Sequence, residues 1–552
     1  MSLRKEWTFT VEGMTSDRCA RTIDDAVRRV PGIVEAATDH LAGRSRVIAE
    51  SQVDAPTLTG VIRGKGFRVV GQKVRDFGSA RAPKEEGDEL DLLIVGAGSA
   101  GFAAAIKATE LGAQVAIVER GALGGTCVNV GCVPSKTLIR TAESHHRAGH
   151  SAFAGVRTKS EPPDFRTVIE QKSKLVAELQ QAKYWNVLAA YPSIMLMKGE
   201  ARFRVDGTVE VDGTPVRAKK VLLSMGASPW APSIPGLSDT GFLTSTTLME
   251  LEGLPKHLIA IGGGAVGLEL AQAFARFGSR VTVLEALPQI VPAEDGEVGE
   301  ALAGHLRAEG LDLRSGARIL EVSGGPGGYR VTIEHADGRY VVEGDQLLVA
   351  TGRRPNTRGM GLEEAGIALG KKGEVLVDEY LKTRVLHVYA AGDVIGDPAF
   401  VYVAAYAGSL AAENALNGDS RAYDLSVVPR VTFTDPAVAA VGLTEAQARA
   451  RGTAVAVSKL PMAYVPRAVA ARDTRGFIKL VADEKTGLLV GAHILAPEAG
   501  EMIEQAVMAM RFGIRTDEIA SLMHPYLTNA EGLKLACQTF KKDVAKLSCC
   551  AA

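Results

Sequence analysis

Residues 124 to 136 read Gly-Gly-Thr-Cys-Val-Asn-Val-Gly-Cys-Val-Pro-Ser-Lys, which places Cys127 and Cys132 about one and a half helical turns apart behind a glycine-rich turn. Two thiols so spaced can close a disulfide. Helix N-terminal amides and nearby Lys136 would stabilise a thiolate, so redox chemistry leads. The competing reading, a buried pair or a stapling disulfide, is a rare use of cysteine in a chain that has only 6. A second pair, Cys549 and Cys550, stands in the closing Leu-Ser-Cys-Cys-Ala-Ala. Adjacent cysteines strain any mutual disulfide but can pinch a soft, thiophilic ion; the bland alternative is an incidental tail pair.

A dithiol exchanges electrons in pairs and needs a donor. Two stretches could hold one. In LDLLIVGAGSAGFAAAIKATELGAQVAIVER, Gly96, Gly98 and Gly101 form Gly-x-Gly-x-x-Gly between strand and helix, and Glu119 ends the next strand. Bare backbone there lets a pyrophosphate approach the helix N-terminus, and the carboxylate can accept ribose hydroxyls. HLIAIGGGAVGLELAQAFARFGSRVTVLE repeats the pattern with Gly262, Gly264, Gly267 and, at the same spacing, Glu285. Glu285 can equally be a solvated strand end. Two cradles imply two dinucleotides. Nicotinamide gives hydride and a disulfide takes electron pairs, so a flavin between them is required. Asp393, ending Val-Tyr-Ala-Ala-Gly-Asp, can bind the flavin's ribityl chain.

These groups need a large scaffold. At 552 residues the chain suggests three or four domains. Lys plus Arg total 63 and Asp plus Glu 64, so no global field favours nucleic acid or an anionic membrane. The N-terminus lacks an apolar signal core and no uncharged stretch is long enough to span a bilayer. Sparse cysteines fit a reducing compartment, the cytoplasm. The periodicity predicts an α/β chain: a small ferredoxin-like βαββαβ unit over 5–70, a tether over 71–89, and two Rossmann-like nucleotide-binding domains. The first spans 90–245 and resumes over 354–424; the second spans 246–353. A mixed α+β domain follows over 425–545, and 546–552 form the Cys-Cys tail.

From about Leu90 to Phe540 the chain resembles the flavoprotein disulfide reductases, with matching turns at Ser224 to Ala227 and Ala350 to Gly352. The resemblance implies FAD in the first cradle, touched by Gly121, Thr126, Ala201, Gly226 and Val401, and NADH or NADPH in the second. It implies Cys132 as the charge-transfer thiol, Cys127 as the exchanging one, and Lys136 with Glu269 as an ion pair near the flavin. It also implies a homodimer, with 425–545 as the dimerisation domain. Ordinary members carry His-Pro with a glutamate five residues after the histidine; here His524-Pro525-Tyr526-Leu527-Thr528-Asn529 lacks that glutamate. His524 is then either a proton donor without its carboxylate or a packed residue.

Tail and core together resemble the mercuric reductases. That likeness implies that Cys549 and Cys550 take Hg(II) from thiol complexes and pass it to Cys127 and Cys132 of the other subunit, with Tyr184 and Tyr526 in the site. A membrane importer is a possible supplier. Such enzymes prefer NADPH, whereas Glu285 favours NADH by repelling the extra phosphate. Residues 5–70 resemble a heavy-metal-associated domain, with Gly13-Met14-Thr15 opening the loop and Cys19 as a metal ligand. That pattern expects Cys-x-x-Cys, and Ser16 stands at the first position, a poor ligand for a soft ion. The rival reading is a dihydrolipoamide dehydrogenase-like disulfide reductase with an idle tail.

Overall fold

The computed structural model describes residues 4–14, 17–40, 43–50, 52–77 and 89–546. Strand β1 (Arg4–Glu12) alternates, placing Trp7, Phe9 and Val11 on one buried face. It pairs antiparallel with β3 (Arg44–Glu50) and β4 (Arg68–Phe77), and β3 pairs with β2 (Ile33–Asp39), giving the order β2-β3-β1-β4. Helix α1 (Asp17–Arg28) adds Ile23 and Val27 to this core, and α2 (Ala55–Arg63) adds Leu58 and Ile62, each pair one turn apart. The element order is βαββαβ. The tether begins later than expected at residue 71. β4 continues to Phe77, with Gln72 opposite Phe9 and Val74 opposite Trp7. As an edge strand it is held by ladder hydrogen bonds and carries polar residues such as Lys73, so apolar alternation did not reveal it. Residues 78–88 of the expected tether lie outside the described residues.

The first nucleotide unit starts with β5 (Leu90–Val95), α3 (Ser99–Glu110) and β6 (Val115–Glu119). Helices α4 (Gly125–Val130), α5 (Cys132–Gly149), α6 (Phe165–Gln180) and α7 (Asn186–Ala190) intervene before β7 (Ile194–Lys198). A small antiparallel sheet of β8 (Ala201–Phe203), β9 (Val209–Val211) and β10 (Thr214–Val216) leads to β11 (Ala218–Leu223) and β12 (Ala227–Pro229).

The second unit follows α8 (Ser245–Leu248). It comprises β13 (His257–Ile261), α9 (Ala265–Phe277), β14 (Arg280–Glu285), α10 (Gly296–Ala308) and β15 (Asp312–Ser315). An antiparallel sheet of β16 (Arg318–Gly325), β17 (Gly328–His335) and β18 (Gly338–Gly344) precedes its last strand, β19 (Gln346–Val349). Its parallel sheet runs β15-β14-β13-β19. The chain then returns through β20 (Arg353–Pro355), paired with β12, to β21 (Val388–Ala390). β21 completes the first parallel sheet, ordered β21-β11-β5-β6-β7, so the second unit is inserted into the first. Both sheets are covered on two faces, which is why their strands read as unbroken apolar runs.

After α11 (Val401–Asn417) a third domain is antiparallel. Strands β22 (Arg430–Thr432), β23 (Ala437–Gly442), β24 (Val455–Pro461), β25 (Phe477–Asp483) and β26 (Leu489–Ala496) run in the order β22-β23-β26-β25-β24. Helices α12 (Glu445–Ala450), α13 (Pro466–Ala470), α14 (Ala499–Met502), α15 (Glu504–Phe512), α16 (Thr516–Ser521) and α17 (Glu531–Gln538) accompany them, over a core that includes Ile478, Leu480, Ile494, Ile503 and Leu533. Among the described residues no helix is long and apolar enough to cross a membrane.

Candidate active site

The two glycine turns are built on the same logic. Gly96 and Gly262 take φ of 104° and 112°, open to glycine alone, and a Cβ on either would strike the backbone carbonyl of Ser224 or Ala350. A Cβ on Gly101 or Gly267 would overlap the carbonyl oxygen of Gly96 or Gly262, so each helix packs directly on its turn. Glu119 accepts the amides of Ala97 at 2.8 Å and Gly121 at 2.6 Å; Glu285 accepts those of Gly263 at 2.6 Å and Leu287 at 2.7 Å. Glu285 is 8% exposed, so it is turned inward and is not a solvated strand end. Gly98 and Gly264 are the N-caps of α3 and α9, with no side chain over the helix amides.

A cavity of about 320 Å³ lies along the first turn, lined by Gly96, Glu119, Ala201 and Met225. A cleft of about 850 Å³ lies along the second, lined by Gly262, Gly264, Glu285, Pro292 and Arg318. Bare helix amides beside a strand-end carboxylate suit the pyrophosphate and ribose of a dinucleotide, so the residues present fit FAD in the first and a nicotinamide nucleotide in the second. Around the first cradle, Gly226 holds φ 66° with open space where a Cβ would stand. Asp393 has its carboxyl pushed up by burial, and Val401 begins α11. α11 lies close on α3 because a Cβ at Gly408 would overlap Ala100.

The dithiol is built onto this cradle. Gly124 and Gly125 both take positive φ, the Gly124 amide donates to the Ala97 carbonyl at 2.9 Å, and a Cβ on Gly125 would come within 2.7 Å of the Gly98 Cα. The chain then enters α4, breaks at Gly131 and restarts as α5, so Cys127 and Cys132 sit on successive helices and not on one. Asn129 stitches the turn, donating to the Leu123 and Gly125 carbonyls at 2.8 and 2.9 Å, and Gln180 donates to Asn129 at 2.9 Å.

Cys132 is the first residue of α5. Its side chain is exposed in this chain; the Cys127 thiol donates to it and Lys136 lies near, which hold its pKa down to about 7 against partial desolvation by the surrounding protein. Cys127, the donor of that bond, is pushed up. Lys136 Nζ lies 2.6 Å from Glu269 Oε2 and 4.5 Å from the Phe433 ring centroid, while the Phe433 amide donates to Glu269 Oε1 at 2.9 Å. Both nucleotide units and the third domain thus meet beside the thiols.

Two more groups complete the pocket. A π-helical turn, Gln181–Trp185, interrupts α6 and α7 and rotates Tyr184 onto the Phe102 edge, 4.7 Å between centroids, and against Gly124. Burial raises its phenol, which also bonds Ser99. Arg353, absent from the sequence-based expectations, donates to the Ala227 carbonyl and lies 3.3 Å from the Thr126 hydroxyl. Burial lowers its pKa, and the charges of Asp393 and Cys132 oppose that shift. Its signal in the sequence was only an arginine after the Ala350 to Gly352 turn.

The remaining expected residues stand elsewhere. Tyr526 is 58% exposed on the third domain, and His524 Nδ1 lies 3.2 Å from the Leu522 carbonyl oxygen. Asn529 Nδ2 lies 3.5 Å from the Pro497 carbonyl oxygen. Cys19 is half-buried on α1 of the N-terminal unit. Ser16, Cys549 and Cys550 lie outside the described residues. Among the described residues no three His, Cys, Asp or Glu side chains group to hold a metal ion.

Two dinucleotide cradles converging on a dithiol define a nucleotide-driven thiol oxidoreductase. Residues 90–408 match the family "Pyridine nucleotide-disulphide oxidoreductase", and residues 428–537 match its dimerisation domain. The chain belongs to this family. It is 42% identical over 559 residues to a mercuric reductase of Bacillus cereus, covering 100% of this chain and 88% of the relative. Against a mercuric reductase of Streptomyces lividans it is 47% identical over 467 residues, covering 84% and 98%. Among solved structures it resembles the HOCl-induced flavoprotein disulfide reductase RclA from Escherichia coli, with TM-score 0.73, 34% identity, and 81% and 99% of the two chains covered. LpdA from Mycobacterium tuberculosis gives TM-score 0.72 at 28% identity, covering 82% and 99%.

Proposed function

We propose that this enzyme reduces Hg(II), delivered as thiol complexes, to Hg(0) at the expense of NAD(P)H. The observation that carries the reading is a dithiol with an acidified thiolate in a chain whose His-Pro segment has Asn529 where a disulfide reductase needs a carboxylate. Disulfide cleavage requires a proton for the leaving thiolate; capture of a soft cation requires thiolates alone. Full-length likeness to a mercuric reductase, 100% of this chain being covered, supports the same choice.

Cys132 and Cys127 take the cation by ligand exchange, each step needing a waiting thiolate. The Cys127 hydrogen bond and the Lys136 charge favour the ionised form of Cys132, and Tyr184 packs against Gly124 at the start of the dithiol segment. FAD held at the first cradle by Gly96, Gly98, Gly101 and Glu119 would supply two-electron transfer from the nicotinamide to the metal site. The balance is NAD(P)H plus Hg(II) giving NAD(P)+, a proton and Hg(0), with both cysteines returned as thiols or thiolates. Hg(0) has little affinity for thiolate and leaves.

The chain acts as a homodimer in this reading, with the partner's tail cysteines and Tyr526 serving the dithiol. Tyr526 is exposed in the single chain, as are Met523 (98%) and Phe512 (68%) on the matched dimerisation domain. NADH serves at least as well as NADPH: Glu285 lines the cleft, while Arg318 beside it is engaged by Glu334 at 3.0 Å. The N-terminal unit, with Ser16 in its loop, binds soft metal weakly. Deleting residues 1–80 leaves turnover of small thiol-complexed mercury largely intact.

The decisive assay follows NAD(P)H oxidation with Hg(II) and excess small thiol, and separately with lipoamide or glutathione disulfide, while trapping Hg(0) vapour. Mercury-dependent oxidation with one Hg(0) per NAD(P)H is expected. Faster turnover of either disulfide would make the chain a disulfide reductase. Replacing Cys549 and Cys550 by serine should cut turnover when mercury arrives tightly bound by thiols.

A further inference from the structure

Val291 is a β-branched residue at φ 42°, a backbone conformation such side chains avoid, and it adjoins the second cleft. Its amide donates to the Gly263 carbonyl at 2.8 Å, pinning the loop after β14 to the glycine turn. The next residue, Pro292, lines the cleft. Left-handed valine persists only where its surroundings hold it, so the far end of the loop is informative. There Glu294 Oε1 meets Arg430 Nε of β22 at 2.7 Å, and Asp295 meets Lys479 of β25 at 3.1 Å. The Asp295 and Lys479 side chains are each 5% exposed. Glu294 Oε2 is buried with no hydrogen-bond partner among the described residues, so Arg430 is what keeps a charged group there. Burying ion pairs between domains is a poor route to stability but a good one to a fixed geometry.

We infer that Arg430 and Lys479 of the third domain are positioning residues for the nicotinamide nucleotide, holding the strained Val291 corner through Glu294 and Asp295. The inference rests on the second cleft taking that nucleotide. The dimerisation domain then sets nucleotide affinity in a cleft it does not line.

The test is calorimetric binding of NAD+ and NADP+ to the oxidised holoenzyme. Arg430→Met is expected to weaken binding roughly fivefold, with Arg430→Lys between it and the parent. In steady state its KM for NAD(P)H rises and its KM for Hg(II) does not. Glu294→Gln should weaken binding similarly, and the double variant no further. Glycine accepts the left-handed corner without tension, so Val291→Gly should restore at least half of the affinity lost in Arg430→Met. Unchanged binding in Arg430→Met, additive losses in the double variant, or no rescue by Val291→Gly would each overturn the inference. If Arg430→Met fails to dimerise, Glu294→Gln with and without Val291→Gly answers the same question: a loss that glycine rescues is expected, and no loss or no rescue overturns the inference. A parent enzyme that binds neither nucleotide would instead sink the assignment of the cleft.

Discussion

The two glycine cradles share a skeleton down to the amides that their terminal carboxylates accept, yet they do different work because of what each is attached to. The first runs into Gly124 and Gly125, which lay the dithiol helix on its own turn. The second runs into a strained corner tied to another domain. Dinucleotide binding is thus a local property of strand, turn and helix, whereas the chemistry belongs to the segment that follows.

That comparison can be broken most sharply at the third glycines. Gly101→Val should abolish FAD retention, read as flavin absorbance after gel filtration. Gly267→Val should keep FAD but weaken NAD+ binding by at least about a hundredfold. Flavin loss in both would show that the cradles are not independent. Next in size, Cys132→Ser should lower mercury turnover by roughly a thousandfold while leaving the NAD+ Kd unchanged, separating thiol from nucleotide functions.

A smaller effect sharpens the account of the dithiol. Cys132 is a thiolate above about pH 7 because Cys127 and Lys136 favour the charged form. Lys136→Met removes the cation, so the midpoint of its alkylation by iodoacetamide should move up by roughly one unit. A fall, or no change, would assign the acidity to the helix terminus and Cys127. The smallest expected change is at the second carboxylate. Glu285→Ala should shift the NADH-to-NADPH ratio of kcat/KM toward NADPH by roughly tenfold; an unchanged ratio would mean that this carboxylate serves only the backbone.

Both cradles, the thiols and Lys136 were legible because each is written in a short contiguous motif, whereas Glu269 was expected only from resemblance. The end of β4 was not, because edge strands need no apolar alternation. Arg353, Phe433 and Gln180 were missed because their partners are distant in the chain, and Asn129, which stands between the two cysteines, because its amide carries no redox chemistry to mark it. Arg353 reaches Thr126, Phe433 meets Lys136 and Gln180 meets Asn129 only through the fold. Tyr184 was expected from resemblance, but the π turn that aims it has no signature in residue types.

Sequence alone determined the inventory: two dinucleotide turns, a redox pair, a terminal thiol pair, and a His-Pro segment without its acid. Local backbone sterics and side-chain chemistry suffice for that, since a left-handed turn needs glycine and a soft-ion ligand needs sulfur. Tertiary structure decided which thiol is acidic, that Glu285 faces inward, and that the third domain braces both the Lys136 ion pair and the nucleotide loop. Those outcomes depend on charges and carbonyls brought together from distant parts of the chain, where burial, not sequence spacing, sets the strength of each interaction.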